Sequence, residues 1–472
     1  MVKLSNGFKR KQIIQMQKKI LKIILVGLLA SVYGCTLQTK NNQKKKLSLI
    51  VLDPGHFHSA LVQKTMYADI DSVVHVYASN KSDLKAYHNK IEKYNTRLES
   101  PTHWNEEVYT GADFLDRMIS EKKGNVVMLA GNNQKKINYI KKSIDAGLNV
   151  LADKPMAIDT ISFKSLQETF VSAKKNKVLL YDIMTARYDI TNILQRELSQ
   201  IPEIFGKLEK GTPDYPAVIK ESTHHFFKYI SGEPLIRPTW FFDVRQQGEG
   251  IVDVTTHLVD LVQWSCFPNM AINYQKDIAI ISAKRWATLI TPIQFTLATG
   301  SNSFPDFLSK DVTDTLLRVY SNGEINYQLK GVHAKIIVRW NFQAAENEGD
   351  SHYSMMRGSK ANLVIRQGPE QNFKPVLYIE LSKKNKIYEN NLKIRFQSIQ
   401  QKYPGIELKE TCLGWKITIP KKYTNDHEAT FAQVVRKYLE YLREGTLPNW
   451  EVPNMIAKYY TTTFALKQAL GK

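Results

Sequence analysis

Residues 47–63 are LSLIVLDPGHFHSALVQ, and this stretch decides the fold class. Leu47–Leu52 is an almost continuous apolar run, which is typical of a strand buried on both faces of a sheet. Pro54 and Gly55 predict a turn directly after the strand, and a helix follows through Ala60 and Leu61. The stretch is therefore predicted to be a strand–turn–helix unit, which is the repeating element of α/β folds.

The alternation of strand and helix continues along the next 120 residues or so. Further strands are predicted at Val73–Ala78, Asn125–Ala130, Val150–Ala152 and Val178–Tyr181, with helices at Asp83–Tyr94, Asp113–Ile119, Lys135–Ala146 and Ser162–Lys175. Gly147 is predicted to end the third of these helices. Strands separated by helices of this length form right-handed parallel units. Residues 47–185 are therefore predicted to form a doubly wound, parallel α/β domain of Rossmann type.

The pattern changes after Arg187, where stretches typical of strands dominate. They are predicted at Val218–Phe227, Ile272–Ser282, Leu316–Tyr320, Ile325–Leu329, Ala334–Phe342, Ala361–Arg366, Val376–Leu381 and Trp415–Ile419. Helices are predicted at Ile190–Ser199, within 250–264, and at Glu428–Leu442 and Pro453–Ala469. Residues 186–472 are therefore predicted to form an α+β domain with a large, mostly antiparallel sheet.

The formal net charge of +20 is concentrated at the N-terminus. Residues 1–35 contain seven Lys or Arg and no acidic residue, and four lysines between 40 and 46 raise the excess to eleven. The other residues therefore carry +9, which is too dilute for the basic surface of a nucleic-acid-binding protein. The apolar fraction of 43% is ordinary for a globular chain and excludes a wholly disordered or fibrous one.

The same N-terminus has the pattern of a secretory signal. Basic residues precede an apolar run, Ile23–Tyr33, that is too short to span a bilayer, and Gly34-Cys35 follows it. This pattern resembles a bacterial lipoprotein signal over residues 1–35, with Cys35 as the lipidated residue; a plain signal peptide or a short anchor is the alternative. Translation starts at Met1 or Met16.

Residues 36–46 are polar and are predicted to be a flexible tether. We therefore expect an exported lipoprotein, periplasmic or anchored to the outer membrane, whose contact with the membrane is the lipid anchor. The cysteines beyond the signal, Cys266 and Cys412, are far apart in sequence and are predicted to be free thiols, although one disulfide is conceivable.

The turn after the first strand is where a doubly wound fold binds the diphosphate of a dinucleotide, on backbone N–H groups. Of the usual G-x-G-x-x-G pattern only the middle glycine remains, as Gly55, while Asp53 and His58 occupy the other two positions. His56 and His58 also form an H-x-H pair, as in zinc hydrolases, and a simple helix-capping turn is a third interpretation. We favour the dinucleotide and expect no metal.

Two further segments contain residues suited to proton transfer. Lys154, in Asp153-Lys154-Pro155, follows the strand Val150–Ala152, and the carboxyl ends of parallel strands border the ligand cleft. Asp253 and His257 are four residues apart on a predicted helix, where the carboxylate could orient the imidazole. A surface lysine and an ordinary amphipathic helix are the alternative interpretations.

Together these features resemble the Gfo/Idh/MocA family, the relatives of glucose–fructose oxidoreductase and inositol dehydrogenase. The resemblance covers most of the chain from Leu47 to Leu470 and extends to a lipoprotein branch of Bacteroidetes type with a "putative oxidoreductase C-terminal" domain. The stretches 240–264, 349–368 and 453–463 fit that branch. Asp153 departs mildly from the Glu-Lys-Pro form of the family.

The resemblance implies NAD(P)-dependent oxidation of a hydroxyl on a sugar or sugar derivative. It implies Lys154, Asp253 and His257 as the catalytic residues. The cofactor, NAD or NADP, is expected to contact Pro54, Gly55, His56, Phe57, Ser79, Gly131, Asn132, Asn133, Asp153 and Lys154. The carbohydrate is expected to contact His225 in preference to His224, and Asp243, Arg245, Gln246 and Arg187.

The resemblance also implies that residues 186–472 form the domain for substrate binding and oligomerisation, and that the protein is a homo-oligomer. Two other functions stay open. In one, a retained NAD oxidises a sugar transiently during glycoside cleavage by a glycosidase or lyase. In the other, a cofactor-free protein of this fold binds carbohydrate, which the loss of two glycines from the turn supports and the intact Lys154, Asp253 and His257 oppose.

Overall fold

The computed structural model describes residue 16 and residues 46–472 except 80–81, 231–232, 347, 382–384 and 426. The predicted signal with Cys35 and the predicted tether lie outside the described residues, apart from Met16 and Lys46. Among the helices described, none combines the length and the apolar character needed to cross a bilayer.

The first sheet has six parallel strands in the order β3-β2-β1-β4-β5-β6. The strands are β1 Leu47–Leu52, β2 Ile70–Ala78, β3 Asn105–Thr110, β4 Val126–Leu129, β5 Asn149–Ala152 and β6 Leu180–Asp182. This order reverses between β1 and β4, which is the point where doubly wound sheets bind ligands. The predicted α/β fold class is confirmed.

Five helices cover this sheet. They are α1 His58–Leu61, α2 Ser82–Thr96, α3 Phe114–Glu121, α4 Asn133–Asp145 and α5 Thr160–Asn176, and a 3-10 turn, Val62–Lys64, follows α1. The Asn132 side chain accepts a hydrogen bond from the Gln134 N–H and caps α4. As predicted, Gly147 lies just beyond the end of α4, at a φ of 81°. The sequence pattern missed β3, because this edge strand is mostly exposed and has no apolar run.

The second sheet has ten strands and is mostly antiparallel, as predicted. Its strands are β7 Val218–Phe227, β10 Ile278–Ile290, β11 Val312–Thr313, β12 Leu316–Leu329, β13 Val332–Gln343, β14 Ser351–Arg357, β15 Asn362–Gln367, β16 Val376–Glu380, β17 Glu407–Thr411 and β18 Gly414–Thr418; a separate hairpin is formed by β8 Tyr229–Ile230 and β9 Glu233–Pro234. The order is β10-β12-β13-β7-β14-β15-β16-β18-β17, with β11 beside β12, and only β7 and β13 pair in parallel among the described strands.

Eight helices accompany the second sheet. They are α6 Ile190–Ser199, α7 Val244–Gln247, α8 Thr255–Cys266, α9 Tyr274–Asp277, α10 Pro292–Thr299, α11 Lys386–Lys402, α12 His427–Glu444 and α13 Glu451–Ala469. Short 3-10 segments lie at Thr185–Tyr188, Thr239–Phe242, Asp306–Asp311, Pro369–Gln371 and Lys421–Tyr423. The sequence analysis missed α11, which buries only Tyr388, Leu392, Phe396 and Ile399 in an otherwise polar segment.

Each sheet has its own hydrophobic core, and the last two helices contribute to the first one. Phe431 and Tyr438 of α12, with Met455 and Tyr459 of α13, pack among the buried residues of the parallel sheet. Ala457 and Leu466 of α13 pack instead in the core of the second sheet. The C-terminal helices therefore return to the first sheet and connect the two cores. The predicted domain boundary at residue 185 assigns these helices to the second domain only.

Candidate functional site

The turn after β1 is held against the end of β4. The N–H groups of Gly55 and His56 both donate to the Ala130 carbonyl oxygen, at 3.2 and 3.1 Å. A Cβ atom on Gly131 would lie 2.6 Å from the Asp53 carbonyl oxygen, so only glycine fits there. The strand ends thus approach each other closely at the topological switch point, where a ligand can reach the backbone.

Asp53, at the position of the first motif glycine, has a structural role. Its backbone has a φ of 45°, in the left-handed region. Its carboxylate accepts hydrogen bonds from the Ser79 hydroxyl at 3.2 Å and the Tyr139 hydroxyl at 2.9 Å. These bonds join the ends of β1 and β2 to α4, so the acidic side chain is held by the fold.

His56, His58 and Asp153 meet beside this turn. One Asp153 carboxylate oxygen lies 2.9 Å from His58 Nδ1 and 3.5 Å from His56 Nδ1, and the three ligand atoms lie within 4.8 Å of one another. Burial, reinforced by the charge of His58, lowers the pKa of His56 well below its ordinary value. Burial would raise the pKa of Asp153, but His58 and Lys136 outweigh it and hold that pKa far below its usual range. The trio could accept a metal ion or serve as a hydrogen-bonded support for the turn.

Lys154 and Asp253, 99 residues apart in sequence, form an ion pair. Lys154 Nζ donates to Asp253 Oδ1 at 2.5 Å, and the Gln247 side-chain amide donates to the other carboxylate oxygen at 3.1 Å. Lys154 follows β5, whereas Asp253 precedes α8. The ion pair therefore connects the domain of the first sheet to the domain of the second. The sequence analysis paired Asp253 with His257; the structure shows Lys154 and Gln247 as its hydrogen-bond partners.

A cavity of about 590 Å³ has Lys154, Asp253 and His257 in its wall. A second cavity, of about 950 Å³, lies along Pro54 and Gly55. Both cavities are lined by His56, Phe57, Leu235, Arg237, Phe241 and Glu428. We call these shared residues the junction. The turn after β1 therefore borders two spaces that meet beside it.

The opposite wall of the smaller cavity is formed by the second sheet. His224 of β7 pairs with Trp340 of β13, and their rings lie 5.3 Å apart. Asp350 accepts from Lys228 Nζ at 2.8 Å and lies 3.3 Å from His224 Nδ1. These residues, together with His352 and Lys220, line the cavity. Burial lowers the pKa of His352 to about 4, so its imidazole is neutral at pH 7.

The sequence analysis missed Asp350, His352 and Lys220, because nothing in their local pattern links them to the turn after β1. It also preferred His225 to His224 for the substrate. The structure places His224 in the cavity wall, whereas His225 lies outside it and contacts Asp350 at 3.0 Å. Both imidazoles contact the Asp350 carboxylate, at 3.3 Å for His224 and 3.0 Å for His225, so His225 is linked to the cavity wall through Asp350.

Several other predicted site residues hold the fold together and do not line either cavity. Arg187 is buried in ion pairs with Asp260 and Glu451, so the expectation that it faces the cleft is wrong. Arg245 pairs with Asp243 and Asp311, at distances of 2.8 and 2.9 Å. These charges are satisfied by protein partners rather than exposed to a ligand.

The side chains after β4 also turn away from the cavities. Asn132 donates to the Gln246 side chain at 2.7 Å, and Asn133 donates to the Gln247 carbonyl oxygen at 2.7 Å. They connect the start of α4 to α7, which leaves Asn132, Asn133 and Gln246 as contacts between domains rather than lining residues. Ser79 and Gly131 likewise stay outside both cavities, as supports of the turn.

The geometry fits a dinucleotide placed along this edge of the parallel sheet. The two cavities meet at the turn, with Lys154 at one side and Pro54 and Gly55 at the other. Trp240 narrows the space beside the turn after β1. Its ring lies near Gly55, and its indole N–H donates to the Asp83 carboxylate at 3.2 Å. The larger cavity extends beyond this contact, so the residues present are compatible with an extended ligand.

Two family models together match nearly all of the described chain. Residues 47–182 match the model described as "Oxidoreductase family, NAD-binding Rossmann fold". Residues 194–470 match the model described as "Putative oxidoreductase C terminal domain". No curated protein matches the chain significantly.

Solved structures share the complete architecture. A "putative oxidoreductase" from Parabacteroides merdae is 54% identical, with a TM-score of 0.89, and the match covers 90% of this chain and 98% of that one. Levoglucosan dehydrogenase, solved with NADH and levoglucosan, is 11% identical, with a TM-score of 0.58 and the same two coverages. A "putative myo-inositol dehydrogenase" from Sinorhizobium meliloti is 12% identical, with a TM-score of 0.52, again covering 90% and 98%. The last two similarities show the fold alone.

Proposed function

Because this chain belongs to the oxidoreductase family with an NAD-binding Rossmann fold, we propose that it oxidises a hydroxyl of a sugar or sugar derivative with NAD or NADP. The observation that supports this proposal most is the ion pair of Lys154 and Asp253. The pair lines the same cavity as His257, and this cavity borders the turn after β1. A proton-transferring group and a hydrogen-bond donor beside a cofactor cleft are what hydroxyl oxidation needs.

Each residue has a distinct task in this proposal. A bound nicotinamide cofactor would supply the acceptor for the hydride of the substrate carbon. Lys154 Nζ, held by Asp253, donates a hydrogen bond to the substrate oxygen and orients it. We assign the imidazole of His257 as the acceptor of the hydroxyl proton. Asp253 acts through Lys154 and is a positioning residue.

A carbohydrate suits the polar wall of the second sheet. His224, His352 and Asp350 offer hydrogen-bond donors and acceptors, and Trp340 adds an aromatic face. Two proteins of the same fold are a levoglucosan dehydrogenase and a "putative myo-inositol dehydrogenase". Their substrates carry several hydroxyl groups, which favours the same class of substrate here.

Denaturing the purified protein should release NAD(H) or NADP(H), detectable by chromatography and absorbance, if export leaves the chain dependent on a tightly held cofactor. Protein loaded with added NAD serves as the positive control. A chain that neither releases nor binds a dinucleotide would contradict the proposal. Stoichiometric zinc in the same preparation, lost in His58→Ala, would instead favour metal-assisted hydrolysis at His56, His58 and Asp153.

Two alternatives share the fold but not the net reaction. A retained NAD that oxidises a sugar only transiently would make the protein a glycosidase or lyase, so bound cofactor would accompany glycoside cleavage without net NADH formation. A cofactor-free carbohydrate-binding protein would release no dinucleotide. Product analysis of a glycoside mixture separates the first from simple oxidation.

We further propose that the chain is an exported lipoprotein and forms a homo-oligomer. The proposal of export rests on the sequence before residue 46. Cys35→Ser should move the protein from the membrane fraction to a soluble or uncleaved form, because lipid attachment requires the thiol. Mass spectrometry of the mature N-terminus provides the check. Unchanged membrane association with an unlipidated N-terminus would contradict this expectation.

A further inference from the structure

Arg237 lies at the junction of the two cavities and is buried, with a residue exposure of 5%. Its guanidinium Nε donates to the Phe226 carbonyl oxygen at 2.6 Å, and Nη2 donates to the His225 carbonyl oxygen at 3.1 Å. Phe241 and Trp340 flank the guanidinium, which lies 4.4 and 5.3 Å from their ring centroids. The side chain is therefore fixed in position before any ligand binds.

The positive charge of Arg237 has no carboxylate partner among the described residues. Its Nε and Nη2 donate to backbone carbonyl oxygens. The carboxylates that line the cavities near it have other partners: Asp253 pairs with Lys154 and Asp350 with Lys228. Glu428, the carboxylate of the junction, pairs with Lys64. A buried charge without a counter-ion is costly, and a guanidinium cannot escape the cost by losing its proton under ordinary conditions. The junction thus offers a buried cation that an anionic ligand would neutralise.

The position of this cation corresponds to the middle of an extended ligand. Arg237 lines both the cavity beside Lys154 and the cavity beside Gly55. It is also close enough to His56 for its charge to contribute to the lowered pKa of that imidazole. A dinucleotide that spans the two cavities has its diphosphate between its two nucleoside ends, and this is the anionic part of the molecule.

The turn after β1 differs from the usual diphosphate loop in ways that weaken its hold on an anion. Asp53 and His58 replace two glycines of the usual diphosphate loop, and α1 has only four residues. Asp83 also places a carboxylate near Gly55. The backbone cradle is therefore weaker here than in a standard Rossmann turn, and an acidic group adds repulsion. Because Nε and one N–H of Nη2 donate to carbonyl oxygens, two parallel hydrogen bonds to a phosphate would come from Nη1 and the second N–H of Nη2.

We propose that Arg237, from the second domain, binds the diphosphate of the dinucleotide and compensates for the altered turn. The inference rests on the proposed function, since it concerns the same cofactor. It also predicts that the cofactor contacts both domains at the junction and is retained more tightly than the turn alone would allow.

Calorimetric titration of the full chain with NAD, ADP-ribose, adenosine and inorganic pyrophosphate tests the proposal. Arg237→Gln should weaken binding of NAD and ADP-ribose by roughly 10–100-fold, the loss expected for a hydrogen bond to a charged group, and should leave adenosine unchanged. Arg237→Lys should lose less, because the charge remains while the fork geometry is lost. Lys85→Gln removes an exposed lysine of α2 that lines neither cavity; it is the matched control and should change binding less than about 2-fold.

Three outcomes of these titrations test the proposed role of Arg237. Wild-type binding of ADP-ribose that persists in Arg237→Gln, with an unchanged melting temperature, overturns the proposal. If Arg237→Gln does not fold, Arg237→Lys and competition by pyrophosphate in the wild type replace it; no competition overturns the proposal. If the wild type binds no NAD, the proposed function fails, and pyrophosphate binding by the wild type but not by Arg237→Gln still assigns the anion site to Arg237.

Discussion

Replacing Lys154 by alanine should lower turnover of the sugar substrate by about 10²–10⁴-fold, the cost usually measured when a group that handles a proton is removed. The variant loses the ammonium that contacts Asp253 and the cavity, and it leaves Asp253 without its cation. His257→Ala should cost a similar factor, because it removes the proposed proton acceptor. Both effects are measured as the rate of reduced-nicotinamide formation with saturating sugar and cofactor.

The accompanying variants separate proton transfer from positioning. Asp253→Asn should cost less than Lys154→Ala, since Asp253 orients Lys154 without contacting the substrate. Cofactor affinity should stay nearly constant in Lys154→Ala and His257→Ala, because neither residue is expected to hold the diphosphate. Lys85→Ala, on an exposed part of α2 outside both cavities, is the control with full activity. Full activity in both alanine variants would contradict the site assignment.

Replacing Arg187 by leucine should destabilise the fold by about 3–5 kcal/mol, the cost of removing one partner from a buried ion pair. Arg187 binds Asp260 through two nitrogens, each at 2.7 Å, and Glu451 through a third at 2.8 Å. With leucine at this position, the buried carboxylates of Asp260 and Glu451 both lose the guanidinium. Asp260 keeps Lys458 as a partner, at 2.8 Å. Chemical denaturation, followed by circular dichroism, measures the loss.

The size of this effect follows from where the network lies. Arg187 follows β6, Asp260 belongs to α8 and Glu451 begins α13, so the ion pairs join both domains. Arg117→Leu removes an exposed pair with Glu121 and should change stability by less than about 1 kcal/mol, which makes it the matched control. A loss below about 1 kcal/mol for Arg187→Leu would show that water already reaches the network.

The local sequence pattern was enough to predict those elements whose own residues show which of their faces are buried. The apolar run of β1 and the alternation along β7 predicted buried strands in the right places, and β7 was predicted with its observed bounds. Lys154 was placed at the cavity for a related reason: the carboxyl ends of parallel strands share one edge of the sheet. By contrast, β3 and α11 have few buried residues, so their sequences contain no strong apolar period.

Tertiary structure alone decided which charged side chains meet. Sequence spacing suggested Asp253 with His257, whereas the folded chain brings Asp253 to Lys154 across 99 residues. Arg187 was expected to face the ligand, yet Asp260 and Glu451, 73 and 264 residues away, hold it in the interior. A helical spacing reports only neighbours on one element. The buried ion pairs of Lys154 and Arg187 form between elements, because a buried charge takes the oppositely charged partner that domain packing places beside it.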